Sequence, residues 1–300
     1  MIYEQIASNK RNSFLLVFVF TLVIVSACYF IGEAWIKNGG ILGIFIGSFL
    51  SLGLFLISYY SGDSVLLSSV GAKQVDPNSS SQLYNVVKEM SISSGLTMPK
   101  VYIVPDPSPN AFAAGRDPDH ASLAVNEGLL QLLNREELQG VVAHEMSHIQ
   151  NRDILYATIV AVMAGMIVLI ASFFRQSWFF GGSRRRNNDS GGGGGILLLL
   201  GLIFAVLAPI VAKLIQLAIS RQREYLADAS AAMMTRDPAG LANALRKLQS
   251  VSIQATTSND AVAPLYFTEP RLHFNPSSLF ATHPPIKDRI DRLEHMAYIK

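Results

Sequence analysis

Charge is scarce in this 300-residue chain. Asp, Glu, Lys and Arg supply 15% of it, against roughly 25% in an ordinary soluble domain. Half of the residues are apolar and the mean hydropathy is +0.32, so part of the chain is expected to be solvated by lipid. The net charge of +2 is too small to argue for a nucleic-acid partner. The one basic run, Arg184 to Arg186, is short and reads as a solvated loop or a lipid-headgroup contact. A single cysteine, Cys28, excludes an intrachain disulfide framework and any multi-cysteine metal site, and implies no oxidising compartment. No repeat of fixed period is present.

What the chain has instead is long apolar runs, at 14–31, 41–60, 154–174 and 196–219. Each approaches the ~20 residues a helix needs to cross the hydrocarbon core. The second run is interrupted by glycine and serine, the fourth by Pro209, Lys213 and Gln216; such residues are tolerated where spans pack against other helices. Lys10-Arg11 ahead of the first run, with Val25-Ser26-Ala27-Cys28 inside it, has the outline of a cleaved leader. The run continues past Cys28 and a second follows at once, so a retained hairpin is the better reading. The expected organisation is a membrane hairpin (1–60), a first soluble stretch (61–153), a second hairpin (154–219) with a Gly/Arg-rich linker at 181–195, and a soluble tail (220–300).

Within the first soluble stretch, residues 83–95 read as an amphipathic helix stopped at Gly95, and 100–104 and 122–125 as strands. The intervening 105–120 is dense in turn formers and loop-like at both ends. A long helix begins after Asn134, a good N-cap whose partner in a capping box is Glu137. The tail reads as helices starting near 221, 238 and 284, with a flexible loop at 252–264.

The helix after Asn134 carries His144-Glu145-Met146-Ser147-His148. Histidines four apart on a helix share a face and reach one ion, and the glutamate beside the first can take a proton from metal-held water. The alternative is two surface histidines, which leaves Glu145 without a task. A catalytic zinc needs a third protein ligand, and Glu127, Glu224 and Asp228 are the carboxylates to weigh. If the third and fourth runs form a hairpin, the chain just before and just after it meets at one membrane surface, which brings Glu224 to His148. The competing reading for Glu224 is a salt bridge to Arg221 or Arg223. Asp228, one turn on, suits a hydrogen bond to the far nitrogen of a metal-bound histidine, or simple solvation on a helix surface.

H-E-M-S-H with a downstream S-R-x-R-E-Y-x-A-D, together with "NAFAAG" at 110–115 and "THPPIKDRI" at 282–290, resembles the HtpX-type integral-membrane zinc metallopeptidases, relatives of the CaaX prenyl endopeptidases. The resemblance spans nearly the whole chain. It implies an α-rich membrane protein with four transmembrane helices and a small α+β, zincin-like metallopeptidase domain built from two segments. It implies one zinc ion per chain on His144, His148 and Glu224, with Glu145 as general base. It also implies an endopeptidase of the cell membrane, facing the cytoplasm, that acts on misfolded or membrane polypeptides in quality control and stress response.

Three further stretches have readings of their own. Asn110, Ala111, Phe112 and Ala113 could form an edge strand that pairs with extended substrate, or a plain loop with Phe112 packed inward. His283 and Arg289 could donate to a developing oxyanion, or serve as a cap and a salt bridge. His120, His273 and His295 read as surface residues. Lys10, Arg11, Arg152, Arg221 and Arg223 near span ends favour a cytoplasmic active site, although Arg175 and Arg184 to Arg186 fall on the opposite side. Competing functions are a catalytically silent membrane chaperone or scaffold, which Glu145 argues against, and a prenyl-protein peptidase, which four spans disfavour. A metal transporter is disfavoured because the histidines flank the spans.

Overall fold

The computed structural model describes residues 2–36, 38–79, 81–163, 221–251, 265–267 and 284–297. Two long helices, α1 (Ile2–Trp35) and α2 (Gly40–Ser69), form an antiparallel hairpin. Both contain windows long and apolar enough to cross a membrane, with mean hydropathy 2.5 and 2.3. Their outward faces carry Phe14, Phe18, Phe45 and Phe49 in the open, an apolar surface that water would penalise and lipid would not. The hairpin closes through small residues. Gly40, Gly43, Gly47 and Ser51 are the buried positions of the first half of α2, and a Cβ on Gly43 would stand 2.1 Å from the Cys28 carbonyl oxygen. In lipid, where apolar side chains gain nothing by leaving solvent, such close backbone approach is the main source of helix pairing.

The helix α2 runs unbroken past residue 60 and docks its last turns, through Leu66, Leu67 and Val70, onto a four-stranded sheet. The strands are β1 (Lys73–Gln74), β2 (Lys100–Val104), β3 (Ala111–Gly115) and β4 (Ala121–Asn126), in the order β1-β2-β4-β3. The β2–β4 pair is parallel; the other two pairs are antiparallel. Alternate residues serve alternate faces. Phe112 and Ala114 pack toward α2, while Ala111 and Ala113 join the larger core. The stretch at 105–120 is therefore loop, strand, loop, and β3 is a sheet edge. Asn126 N–H donates to the Asn110 carbonyl at 2.9 Å, a register that turns the N–H and C=O of residues 111, 113 and 115 outward from β4.

The larger core lies under α3 (Gln82–Ser94), α5 (Arg135–Gln150), α7 (Arg221–Thr235), α8 (Pro238–Ser250) and α9 (Ile286–Ala297), with a short α4 (Glu127–Leu132) between β4 and α5. Helix α3 ends on Gly95 at φ +69°, a left-handed cap that glycine adopts without steric cost. The helix that follows α5, here α6, is described over Asp153–Met163, and its residues are buried or half-buried in protein. Of the four expected spans, two are described in full. The rest of the third, the fourth at 196–219, the linker at 181–195 and the loop at 252–264 lie outside the described residues.

Candidate metal centre

Helix α5 is fixed at its start and loaded at its end. Asn134 Oδ1 accepts from Glu137 N–H at 2.9 Å and Glu137 Oε2 accepts from Asn134 N–H at 2.8 Å, a complete capping box. Lys247 on α8 adds an ion pair to Glu137 at 2.7 Å. From this fixed start, His144 and His148 point their Nε2 atoms to one spot, 3.1 Å apart. Helix α7 crosses beside them and supplies Glu224, whose Oε2 lies 3.6 Å from His144 Nε2 and whose Oε1 lies 3.6 Å from His148 Nε2. These three residues form the one group of potential metal ligands found among the described residues. Donor atoms on a regular tetrahedron with bonds of about 2.0–2.1 Å are roughly 3.3 Å apart. Two imidazoles and a carboxylate at these separations fit a zinc ion. Glu127 is exposed on α4 and takes no part in the group.

The outer nitrogens of both histidines are held by carboxylates. His144 Nδ1 is 3.0 Å from Asp228 Oδ1, and His148 Nδ1 is 3.0 Å from Asp153 Oδ2. With an acceptor at each Nδ1, a proton is held there, and Nε2 is the ring atom left to face a metal. Glu224 and Asp228 reach opposite sides of His144 because four residues on a helix return to the same face. Asp153 arrives by a different route. After α5 the chain turns through Arg152 at φ +58°, and the first residue of α6 folds back onto the last turn of α5. Arg223, 3.8 Å from Asp153, steadies it.

Arg289 on α9 is 1% exposed. Its Nε and Nη2 donate to Asp228 at 2.8 and 2.7 Å, and its Nη1 lies 3.7 Å from Glu224 Oε2. The ion pair is thus what the described geometry displays; His283, its expected companion, lies outside the described residues, as does His273. His120 and His295 are exposed. Glu145 is 3% exposed, and its negative charge acts on both His148 and Arg289.

Electrostatics follow from these contacts. For His148, burial is the largest single effect and would lower the pKa; the Asp153 hydrogen bond and the charges of Glu224, Asp153 and Glu145 together outweigh it and raise it to about 9. For Asp228, burial would raise the pKa, but the Arg289 charge and the His144 hydrogen bond prevail and hold the carboxyl below the usual carboxylate range.

One wall of the centre was not legible as such. The Phe267 ring packs edge-on against His144, centroids 4.8 Å apart, and under the Arg289 guanidinium at 4.7 Å. Its backbone N–H donates to the Ala111 carbonyl at 2.9 Å, on the outward edge of β3. Neighbouring Tyr266 stacks edge-on against Phe112. At the far end of the same edge, Gly115 N–H donates to Thr158 Oγ1 at 3.0 Å. Asn110 and Phe112 are buried, so the strand faces the centre with backbone, not with these side chains.

The chain matches the family described as peptidase family M48 over residues 77–297. It is 47% identical over 299 residues to the Protease HtpX homolog of Caldanaerobacter subterraneus subsp. tengcongensis, with 98% of each chain covered. It is 41% identical over 307 residues to the Protease HtpX homolog of Streptococcus uberis, covering 99% of this chain and 100% of the other. Among solved structures it resembles S. mikatae Ste24p with a TM-score of 0.51 at 17% identity, over 97% of this chain and 67% of that one. At that identity the likeness is one of fold.

Proposed function

The chain belongs to peptidase family M48, and from that premise we propose that it is a membrane-embedded, zinc-dependent endopeptidase that hydrolyses misfolded or membrane polypeptides in quality control and stress response. The observation that carries the reading is the convergence of His144 Nε2, His148 Nε2 and the Glu224 carboxylate at 3.1–3.6 Å, with a carboxylate behind each histidine. The relatives named HtpX homolog support the same activity class.

His144, His148 and Glu224 would hold the ion. When bound, zinc supplies Lewis acidity and a water whose pKa is lowered to about 7. Glu145, next to His144 and buried, takes the proton of the attacking water and delivers it to the leaving amine. Asp228 and Asp153 keep both imidazoles in the tautomer that presents Nε2 inward, and Arg289 fixes Asp228 from behind. Extended substrate pairs with the outward edge of β3. With Ala111 O taken by Phe267 and Gly115 N–H by Thr158, that pairing is centred on Ala113. The α1–α2 hairpin, continuous with the helix that docks on the sheet, keeps the centre beside the bilayer. Lys10, Arg11, Arg152, Arg221 and Arg223 favour the cytoplasmic side.

The test compares the full-length wild type with Glu145→Gln, both in detergent, stripped with chelator and reloaded with zinc. Each is expected to bind one zinc per chain, while only the wild type cleaves an unfolded protein; loss of a general base lowers the rate by about 100-fold or more. Equal cleavage by both proteins contradicts the role given to Glu145. Zinc binding without cleavage by either favours a holding function over hydrolysis.

A further inference from the structure

A polar cavity lies where α2 meets the Gly115 end of β3, at the far end of the edge that borders the metal centre. Its volume is about 270 Å³, just under the range of small-molecule sites. Tyr59, Tyr60 and Asp63 line it from α2, and Lys100, Arg116 and Asp119 from the strand ends. The Arg116 guanidinium carbon sits 5.4 Å from the Tyr60 ring centroid and 6.0 Å from that of Tyr59. Asp63 Oδ2 accepts from Ser122 Oγ at 2.9 Å, which ties α2 to β4 beside the cavity. Arg116 makes one longer ion pair, 3.5 Å, to Asp117, and Asp117 is also engaged by His120 at 2.8 Å.

Two features decide what such a cavity takes. The first is depth. Along α2 the exposed side chains, Ser48 apart, are apolar through Leu56 and Ile57; Tyr60, Ser61 and Ser64 follow, with Val65 the exposed apolar residue among them. Tyrosine at an apolar-to-polar boundary is the pattern of a membrane–water interface, so the cavity opens at headgroup level. The second is charge. Arg116 and Lys100 are matched by Asp63 and Asp119, a balance that suits neither a bare anion nor a bare cation.

We propose that this cavity binds the headgroup of a zwitterionic aminophospholipid, with the phosphodiester on Arg116 and Lys100 and the ammonium on Asp63. A phosphodiester accepts charge-assisted hydrogen bonds from guanidinium, and an ammonium donates them to a carboxylate. The acyl chains lie along the exposed apolar face of α2. A lipid seated here joins α2, β3 and β4, and so couples bilayer contact to the sheet that borders the metal centre. The proposal rests on α2 being a membrane span. Its assay reads lipid occupancy and not cleavage, so its failure leaves the peptidase reading standing.

The experiment titrates the full chain in non-ionic detergent with dihexanoyl-phosphatidylethanolamine, dihexanoyl-phosphatidylglycerol and acyl-free glycerophosphoethanolamine, with occupancy read by native mass spectrometry. The wild type is expected to bind the ethanolamine lipid about tenfold more tightly than the glycerol lipid, and the acyl-free compound far more weakly. Arg116→Gln is expected to weaken the ethanolamine lipid about tenfold, the loss that goes with one charged hydrogen bond. Asp63→Asn is expected to abolish the preference between the two lipids. Lys100→Gln, at an exposed position, weakens both lipids and serves where Arg116→Gln does not fold. Equal binding of the two lipids by wild type overturns the proposal. So does acyl-free compound binding as tightly as lipid, which assigns the site to a soluble phosphodiester, or displacement of the lipid by an unfolded peptide, which assigns it to substrate.

Discussion

Replacing Arg289 with leucine removes the partner of a carboxylate that has almost no access to water. Asp228 is 2% exposed and Arg289 1%, and two short hydrogen bonds at 2.8 and 2.7 Å join them. Breaking a buried pair by deleting one member costs about 3–5 kcal/mol, because the other charge stays behind uncompensated. Asp228 retains the His144 Nδ1–H at 3.0 Å, so the lower end, about 3 kcal/mol, is expected. At roughly 2–4 °C per kcal/mol for a domain of this size, the unfolding midpoint of the zinc-free protein should fall by on the order of 10 °C. The sign of the pH dependence follows from Asp228. Its folded pKa is depressed, so its contribution is present above the unfolded value of about 3.9 and is lost as pH falls through the folded value. Without Arg289 the folded pKa rises, so the gap between wild type and variant is widest near neutrality and narrows on acidification. Arg289→Leu combined with Asp228→Leu should recover part of the loss, since apolar replacement removes the stranded charge. Thermal unfolding in detergent, followed across pH, measures all of this. An unchanged midpoint for Arg289→Leu, or a gap that does not vary with pH, refutes the reasoning.

Three other outcomes are expected. Asp153→Asn should weaken zinc binding by about 10–100-fold while leaving the secondary structure intact, as loss of a carboxylate behind a ligating histidine does elsewhere; competition with a chelator of known affinity reads it. Because His148 has its pKa raised to about 9 in the metal-free protein, zinc must displace a proton there below that pH. Apparent affinity should rise about tenfold per pH unit from neutrality and level off near 9, and in the zinc-free protein the stabilisation from charged His148 is complete below about 6.5 and lost as pH rises through about 9. Gly43→Leu should disrupt the α1–α2 hairpin, because even a Cβ would meet the Cys28 carbonyl at 2.1 Å. The expected readouts are a loss of folded protein in detergent and new reactivity of Cys28 toward a thiol reagent, whereas Gly53→Leu, which has nothing within 4 Å, should be tolerated.

What the sequence revealed, and what it did not, divides by the range of the forces involved. The capping box at Asn134 and Glu137, the shared face of His144 and His148, and the cap at Gly95 are local, set by helix period and one or two hydrogen bonds. All were legible from spacing. The approach of Glu224 was expected on the premise that the third and fourth apolar runs form a hairpin; the structure brings Glu224 to His148, while most of those runs lies outside the described residues. Asp153 was missed because its role depends on a left-handed turn at Arg152, and arginine carries no preference for that conformation. Phe267 was missed because nothing periodic surrounds it and its contacts, to His144, Arg289 and Ala111, are all distant in sequence. The strand β3 was read as one of two alternatives for lack of alternation: both of its faces are covered, so its residues are uniformly small or apolar. The third apolar run, read as a span from composition, is protein-buried over its described part, and composition alone cannot separate a helix covered by protein from one covered by lipid.

The central claim is that His144, His148 and Glu224 bind one zinc. X-ray absorption at the zinc edge of the reloaded full-length protein tests it most directly, alongside His148→Ala and Glu224→Ala. The account predicts a first shell of nitrogen and oxygen at about 2.0–2.1 Å, with the outer-shell scattering of two imidazoles. Zinc content should fall sharply in both variants. A zinc signal with sulfur in the first shell, or full occupancy that survives both substitutions, would contradict it.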